Sequence, residues 1–268
     1  MLVLSFGMMK SGSTLAFELC KSVLAQRGFE QRRLPDEVVE EGHHINFVDR
    51  VSTERLERLL KEIAPTEIIA VKTHVPFKPG ESDFIEKKIA EGQMKVHVNV
   101  RDPREMCLSL IDAGTKARAN EHKAFSEIAT LEDAIKVVAR QLANCARWGA
   151  LKGAKFLHYN DVAFDTEKTV QDICEDFGFL SFSQDEMKLV IDRVTADAFT
   201  QKSKAVKDRY KDDLTLRQND FILENLNGAR SFIRRVCEQK DYGWFQRPSL
   251  TSEKGSVEAG AAHDYAHN

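Results

Sequence analysis

Apolar residues along the chain fall into two kinds of segment. Short apolar runs of four or five residues, bounded by polar or turn residues, predict β-strands because they are too short for helices. The predicted strands cover residues 2–6, 68–71, 96–100 and 155–159. Longer segments with apolar residues at helical spacing predict α-helices. These cover residues 13–27, 53–63, 104–111, 131–148, 166–177, 183–193 and 215–238.

The order of these elements predicts the fold class. Strands alternate with helices, which is the arrangement of a parallel sheet with helices packed on both faces. We find no internal repeat and no interdomain linker, so we expect a single α/β domain with a parallel central sheet flanked by helices. This domain should occupy residues 1–247. Residues 248–268 contain no periodic apolar positions and are predicted to form a mobile C-terminal tail.

Composition and charge exclude several classes of protein. Hydrophobic residues at 42% and charged residues at 30% are typical of a folded globular chain. A net charge of −3 gives no overall positive field, so we expect no nucleic-acid partner and no binding to an anionic membrane by charge. No apolar window is long enough for a signal peptide or a membrane span. The five cysteines lack CxxC pairs and zinc-like spacing, which indicates a cytoplasmic protein without a structural metal.

A candidate phosphate loop follows the first predicted strand. Residues 7–14, with the sequence GMMKSGST, lie between that strand and a helix, where backbone N–H groups and a helix N-terminus can bind phosphate. The two glycines and Thr14 have the spacing of the P-loop, but Ser13 stands where that motif has lysine. The positive charge lies at Lys10 instead. A tight turn with a solvated lysine is the alternative interpretation.

Three further sets of polar residues follow the other predicted strands. Lys72-Thr73-His74 follows the second strand, and Arg101 follows the third, with Ser109 eight residues later. The fourth strand ends in Tyr159. Ligands of open parallel sheets bind beyond the carboxyl ends of the strands. We therefore expect one crevice at which these residues meet: Lys10, Lys72, His74, Arg101 and Tyr159.

Taken together and in this order, the motifs resemble the cytosolic-type sulfotransferases that use 3′-phosphoadenosine-5′-phosphosulfate (PAPS). The resemblance extends over roughly residues 4–180. It implies a P-loop-like fold and transfer of a sulfuryl group from PAPS, as co-substrate, to an acceptor hydroxyl or amine. The acceptor would be a small molecule, a glycan or a lipid, and no metal would take part.

The resemblance also implies individual roles. His74 would be the general base that takes the acceptor proton, Lys10 would neutralise the leaving 5′-phosphate oxygen, and Lys72 would hold the sulfuryl oxygens. The nucleotide-binding residues would be Lys10, Ser11, Gly12, Ser13, Thr14, Arg101, Ser109, Tyr159 and Lys204. A structural role for His74 and an ordinary strand-end role for Tyr159 are the alternatives.

The sequence departs from the family pattern in two places. Leu15 stands where the family usually has the tryptophan that encloses adenine. Lys202 and Lys204 stand near the position of an Arg-Lys-Gly loop that grips the 3′-phosphate, and a solvated basic stretch is the alternative there. Residues 112–130 lie where the resemblance implies a mobile substrate-gating segment, and we expect acceptor choice to depend on it and on residues near Phe77 and Phe84. Ordinary surface and core residues are the alternative there.

Two other functions remain open from the sequence. A P-loop kinase of a small metabolite would need a lysine beside Thr14 and a carboxylate for magnesium, and Ser13 occupies the lysine position. A nucleotide-binding protein without turnover would keep the phosphate loop but would have no use for His74.

Overall fold

Five parallel strands form the centre of the computed structural model, which describes residues 1–121, 123–196, 206–229 and 231–232. The strands are β1 Leu2–Gly7, β2 Phe47–Val48, β3 Ile69–Thr73, β4 Met94–Val100 and β5 Lys155–His158. Their order across the sheet is β2-β3-β1-β4-β5, and every neighbouring pair is parallel.

Ten α-helices are found in these described ranges. They are α1 Ser13–Gln26, α2 Thr53–Glu62, α3 Ser82–Ala90, α4 Pro103–Ala119, α5 Leu131–Gly149, α6 Tyr159–Phe164, α7 Thr166–Phe177, α8 Gln184–Thr195, α9 Tyr210–Asp213 and α10 Leu216–Asn225. Several of these helices are preceded by a residue whose side chain accepts a hydrogen bond from a backbone N–H group of the first turn. Asp102 caps α4 ahead of Pro103, and Thr130, Ser183 and Thr215 form capping boxes for α5, α8 and α10.

Apolar clusters cover both faces of the sheet. Leu4 and Phe6 of β1 pack with Trp148 of α5 on one face, whereas Val3 packs with residues of α1, α7 and α8 on the other. Successive strand residues point to opposite faces, so a strand covered on both sides reads as a continuous apolar run. The predicted single α/β domain with a parallel sheet flanked by helices is therefore confirmed.

Some predicted strands and boundaries were wrong for local reasons. β2 was not predicted, since a two-residue strand gives no pattern. The strand predicted over 155–159 ends at His158, and Tyr159 begins α6. Helix α3 was also missed because its apolar period is weak, with Ile85 as its one buried residue.

Two helix boundaries were misjudged as well. Helix α4 runs to Ala119, so the first part of segment 112–130 is helical; its alanines favour a helix without giving an apolar period. One helix was predicted over 215–238, but α10 ends at Asn225, shortly before Asn227 and Gly228, which are poor helix formers. Residues 233–268 lie outside the described part of the chain, and the predicted tail lies among them.

The carboxyl ends of the strands lie at one edge of the sheet. Phe6 of β1 pairs with Thr73 of β3 and Val98 of β4, and Val100 of β4 pairs with His158 of β5. The segments that follow these strands therefore begin side by side. Among the described residues, no helix has the length and apolarity that a membrane crossing requires.

Candidate active site

The loop between β1 and α1 has the conformation of an anion-binding turn. Lys10 and Gly12 adopt left-handed backbone angles, with φ of 67° and 75°. The Ser11 hydroxyl donates a hydrogen bond to the carbonyl of Met8 at 2.7 Å, which closes the turn. Ser13 then begins α1, so the first N–H groups of the helix have no partner within it and face the loop.

Both glycines of this loop lie so close to neighbouring side chains that there is no room for a Cβ atom. A Cβ atom at position 7 would lie 2.0 Å from the Cβ of Ser13, and one at position 12 would lie 2.7 Å from Cδ2 of Tyr159. The P-loop-like spacing of Gly7 and Gly12 therefore has a steric cause in this chain.

Lys72 brings a buried positive charge to the phosphate loop. Its Nζ donates a hydrogen bond to the Thr14 hydroxyl at 2.7 Å, which joins β3 to the start of α1. Burial lowers the pKa of Lys72 to about 8, and the carboxylate of Glu18 opposes that shift. The side chain is charged at neutral pH while its partner is a neutral hydroxyl, an arrangement that favours binding of an anion.

His74 is held as a neutral imidazole. Its Nδ1 lies 2.6 Å from the carbonyl oxygen of Gly7, and since a carbonyl only accepts, Nδ1 carries the proton and Nε2 has a free lone pair. Burial first, and then the charge of Lys72, lower the pKa of His74 to about 4, against the opposing effect of the hydrogen bond to Gly7. At neutral pH, Nε2 can therefore accept a proton.

The chain after His74 is held by α5. The indole N–H of Trp148 donates to the carbonyl of Val75 at 3.0 Å, and Arg147 donates to the carbonyl of Phe77 at 2.8 Å. These two bonds hold the backbone that carries the imidazole and support its orientation.

Arg101 joins three parts of the site. Its Nη1 donates to the Lys10 carbonyl at 2.9 Å, its Nη2 donates to Oε2 of Glu105 at 3.0 Å, and its guanidinium stacks on the Tyr159 ring at 3.8 Å. The structure therefore brings Lys10, Arg101 and Tyr159 together as the sequence predicted. Ser109 lies half-buried on α4, one turn beyond Glu105 and on the same face of the helix.

Segment 112–130 contributes charged and aromatic side chains near Lys10. The pKa of Lys10 is lowered by burial and by the cations Arg101 and Lys116, with Asp112 opposing. The ammonium group lies 5.9 Å from the centre of the Phe125 ring. Lys10 is thus partly withdrawn from water among other cations, which increases its attraction for a polyanionic ligand.

Comparison with known proteins assigns a family to this arrangement. The sequence matches the sulfotransferase domain family over residues 2–229. The chain belongs to this family. No curated protein matches it.

One solved structure supports the fold, and two others are more distantly similar. The chain is similar to mouse sulfotransferase SULT7A1 complexed with PAP, with 13% identity, coverage of 89% of this chain and 88% of that chain, and a TM-score of 0.56. A sulfotransferase from Alicyclobacillus acidocaldarius has 13% identity, coverage of 87% and 95%, and a TM-score of 0.44. Retinol dehydratase in complex with androsterone and inactive cofactor PAP has 15% identity, coverage of 90% and 81%, and a TM-score of 0.48.

The structure of this sulfotransferase-family chain also reveals residues that sequence reasoning missed. Glu105 pairs with Arg101, Gln141 accepts a hydrogen bond from the Met9 N–H at 3.4 Å, and the Phe47 ring lies 5.7 Å from His74. Only Glu105 left a signal, because it follows Arg101 by four residues at the start of a predicted helix.

Other residues named from the sequence lie in or against the core, or outside the described residues. Phe77 is a core residue packed edge-on against Trp148, and Phe84 packs against the same core. Leu15 is buried in the cluster shared by α1, α7 and α8. Lys202 and Lys204 fall in a range that the structure does not describe. In the described ranges, no group of three or more His, Cys, Asp or Glu side chains is placed to hold a metal ion.

Proposed function

We propose that the protein transfers a sulfuryl group from PAPS to an acceptor hydroxyl or amine, with His74 as general base. The observation that carries this proposal is the neutral imidazole of His74, hydrogen-bonded to the first residue of the phosphate loop. A general base beside the phosphate loop can take the proton from an acceptor hydroxyl as that acceptor attacks a group bound at the loop. The family and the PAP named for mouse SULT7A1 support PAPS as the donor.

The proposed reaction is an in-line displacement at sulfur. Nε2 of His74 takes the proton from the acceptor O–H, the acceptor oxygen forms a bond to sulfur, and the bond from sulfur to the 5′-phosphate oxygen breaks. The electron pair of that bond stays on the phosphate, and the products are the sulfated acceptor and adenosine 3′,5′-bisphosphate (PAP). Such loose transition states depend on positioning and charge stabilisation more than on covalent catalysis.

In this proposal, different charged residues bind different parts of PAPS. Lys10 and Lys72 neutralise the 5′-phosphosulfate, and Ser11, Gly12, Ser13 and Thr14 surround the 5′-phosphate at the start of α1. Arg101 and Ser109 bind the 3′-phosphate, and Tyr159 contacts the nucleotide. Lys204 is assigned to the 3′-phosphate from the sequence alone. The choice among small-molecule, glycan and lipid acceptors stays open.

A kinase is the second candidate, and the structure offers one observation against it. The loop places Ser13, not lysine, at the first residue of α1, and Lys72 reaches Thr14 from a neighbouring strand instead. Nucleoside triphosphates bound at a P-loop rely on the loop lysine to reach the β- and γ-phosphates. The arrangement of Lys10, Lys72 and Arg101 suits two separated phosphates better.

Ligand-induced thermal stabilisation tests the proposal before any acceptor is known. A ligand at a hundredfold excess over its Kd stabilises the folded state by about 2.7 kcal/mol, which raises Tm by roughly 5–10 °C for a chain of this size. We expect PAP to give this shift without magnesium, and ATP with magnesium to give much less. A larger, magnesium-dependent shift with ATP would contradict the proposal and favour the kinase. A PAPS-consumption screen across phenols, sugars, lipids and small alcohols then identifies the acceptor.

A further inference from the structure

Glu105 is a buried carboxylate at the site that has no task in the reaction proposed above. Its side chain is 5% exposed and lies in the first turn of α4. Its oxygens have different partners: Oε2 accepts from Nη2 of Arg101 at 3.0 Å, and Oε1 accepts from the backbone N–H of Tyr210 at 2.8 Å. Burial raises the pKa of Glu105, and both hydrogen bonds oppose that effect.

The contacts of Arg101 leave a defined part of its guanidinium for a ligand. Nη1 is bonded to the Lys10 carbonyl, Nη2 is bonded to Glu105, and the face of the group lies on Tyr159. The buried Nε has no hydrogen-bond partner among the described residues. Since the five N–H bonds lie in one plane, fixing Nη1 and Nη2 also fixes the directions of the others.

The same guanidinium supports the phosphate loop. Lys10 has a φ of 67°, a left-handed angle that is uncommon for a residue with a side chain. The hydrogen bond from Arg101 to the Lys10 carbonyl favours this conformation. A change in the position of Arg101 would therefore affect binding of both the 3′-phosphate and the 5′-phosphosulfate of PAPS.

Glu105 is itself held in place from a distant part of the sequence. The Tyr210 ring lies over the guanidinium of Arg104 at 3.6 Å, and Arg104 is fully buried and doubly bonded to Asp102. The Tyr210 N–H thus donates to Glu105 from an anchored segment. Rotation of the carboxylate would break one of its two hydrogen bonds.

We propose that Glu105 is a positioning residue for donor binding. It holds the Arg101 guanidinium in place for the 3′-phosphate, and through Arg101 it stabilises the Lys10 backbone in the phosphate loop. This inference rests on the proposed function, because it requires a donor with a 3′-phosphate.

The test compares affinities for PAP and adenosine 5′-monophosphate (AMP) in wild type and Glu105→Gln. Glutamine keeps an oxygen for the Tyr210 N–H but presents an amide to Arg101, without the negative charge. We expect the ratio of PAP affinity to AMP affinity to fall about tenfold, since a charge-assisted hydrogen bond is lost. AMP affinity itself should fall only about two- to threefold, through the loosened loop.

Three variants separate positioning from folding. Val190→Ala removes buried apolar atoms from α8, in the cluster that α8 shares with α1 and α7, and we expect it to lower Tm while keeping the affinity ratio. Glu105→Asp keeps the charge and should recover part of the ratio, which also provides a readout if Glu105→Gln folds poorly. In an Arg101→Gln background, Glu105→Gln should no longer weaken PAP binding, because no guanidinium remains to be held.

The possible outcomes distinguish the inference from the function on which it rests. A wild-type protein that binds PAP and AMP equally well would contradict the proposed function. A wild-type preference for PAP that Glu105→Gln leaves unchanged, or a loss that persists in the Arg101→Gln background, would contradict only the role of Glu105.

Discussion

At the scale of single residues, the proton on His74 determines what the site can do. The Gly7 carbonyl keeps that proton on Nδ1, and burial and the neighbouring Lys72 charge disfavour a second one. A bound donor carries negative charge and therefore acts in the opposite direction to Lys72. The imidazole is a free base before the acceptor arrives and is better able to keep a proton once the donor is bound.

The substitution His74→Asn separates catalysis from binding. The asparagine amide can still donate to the Gly7 carbonyl, but it has no basic nitrogen. We expect kcat to fall by about 10²–10⁴, the usual contribution of a general base, while PAP affinity changes by less than about threefold. Turnover with an acceptor found in the screen and PAP titration measure the two quantities.

A matched variant controls for the loss of a buried histidine. His97 of β4 is 1% exposed and pairs with Asp176, away from the phosphate loop. His97→Asn should lower stability but keep turnover. If His74→Asn loses turnover and PAP affinity to the same degree, the role of His74 is structural.

At the scale of elements, the turn from β1 to α1 depends on Gly12. Its φ of 75° is left-handed, and an added Cβ would also meet the Tyr159 ring. We expect Gly12→Ala to weaken PAP binding more than tenfold, because a displaced Tyr159 also displaces the Arg101 stacked on it. Titration with PAP, together with the Tm of each variant, measures this effect.

Gly178 provides the control for backbone strain alone. It ends α7 with a φ of 69°, and an added Cβ there would have no atom within 4 Å. Gly178→Ala should cost about 1–2 kcal/mol of stability from the left-handed conformation while leaving PAP affinity unchanged. Equal losses of PAP affinity in the two alanine variants would show that general destabilisation, and not a local change at the phosphate loop, explains the effect at Gly12.

The same scale shows what the sequence could predict. The proximity of Lys10, Lys72, His74 and Arg101 could be predicted, because each lies in or just after a strand in the sequence and parallel strands end at one edge. The contact of Glu105 with Tyr210 joins residues 105 positions apart, and no local pattern encodes it. Strand β2 was missed because it has only two residues, and helix α3 was missed because it buries only Ile85. The pKa values of about 4 for His74 and about 8 for Lys72 arise from burial, which the sequence does not give.

At the scale of the whole molecule, a chain with a net charge of −3 gathers cations at one edge of its sheet. Lys72 and Arg101 are both buried there, and Lys10 is partly buried beside them. Taking charges out of water costs free energy, and attraction to a ligand of opposite charge offsets that cost. The folded chain should therefore be more stable with an anionic nucleotide bound than without one, and we expect PAP to raise Tm strongly.

The pH dependence of stability follows from His74. Its pKa is lowered from 6.5 to about 4 in the folded chain, so between these values the unfolded chain binds a proton that the folded chain does not. The free energy of unfolding therefore rises with pH in this window, and the contribution of His74 is lost as pH falls from 6.5 towards 4. Between pH 5 and pH 7.5 this difference is about 2 kcal/mol. Urea unfolding of wild type and His74→Asn at both pH values measures this difference, because the titratable groups that the two proteins share cancel. From pH 5 to pH 7.5, we expect the free energy of unfolding of wild type to rise by about 2 kcal/mol more than that of the variant. Parallel pH dependences of the two proteins would show that the fold does not keep the imidazole neutral.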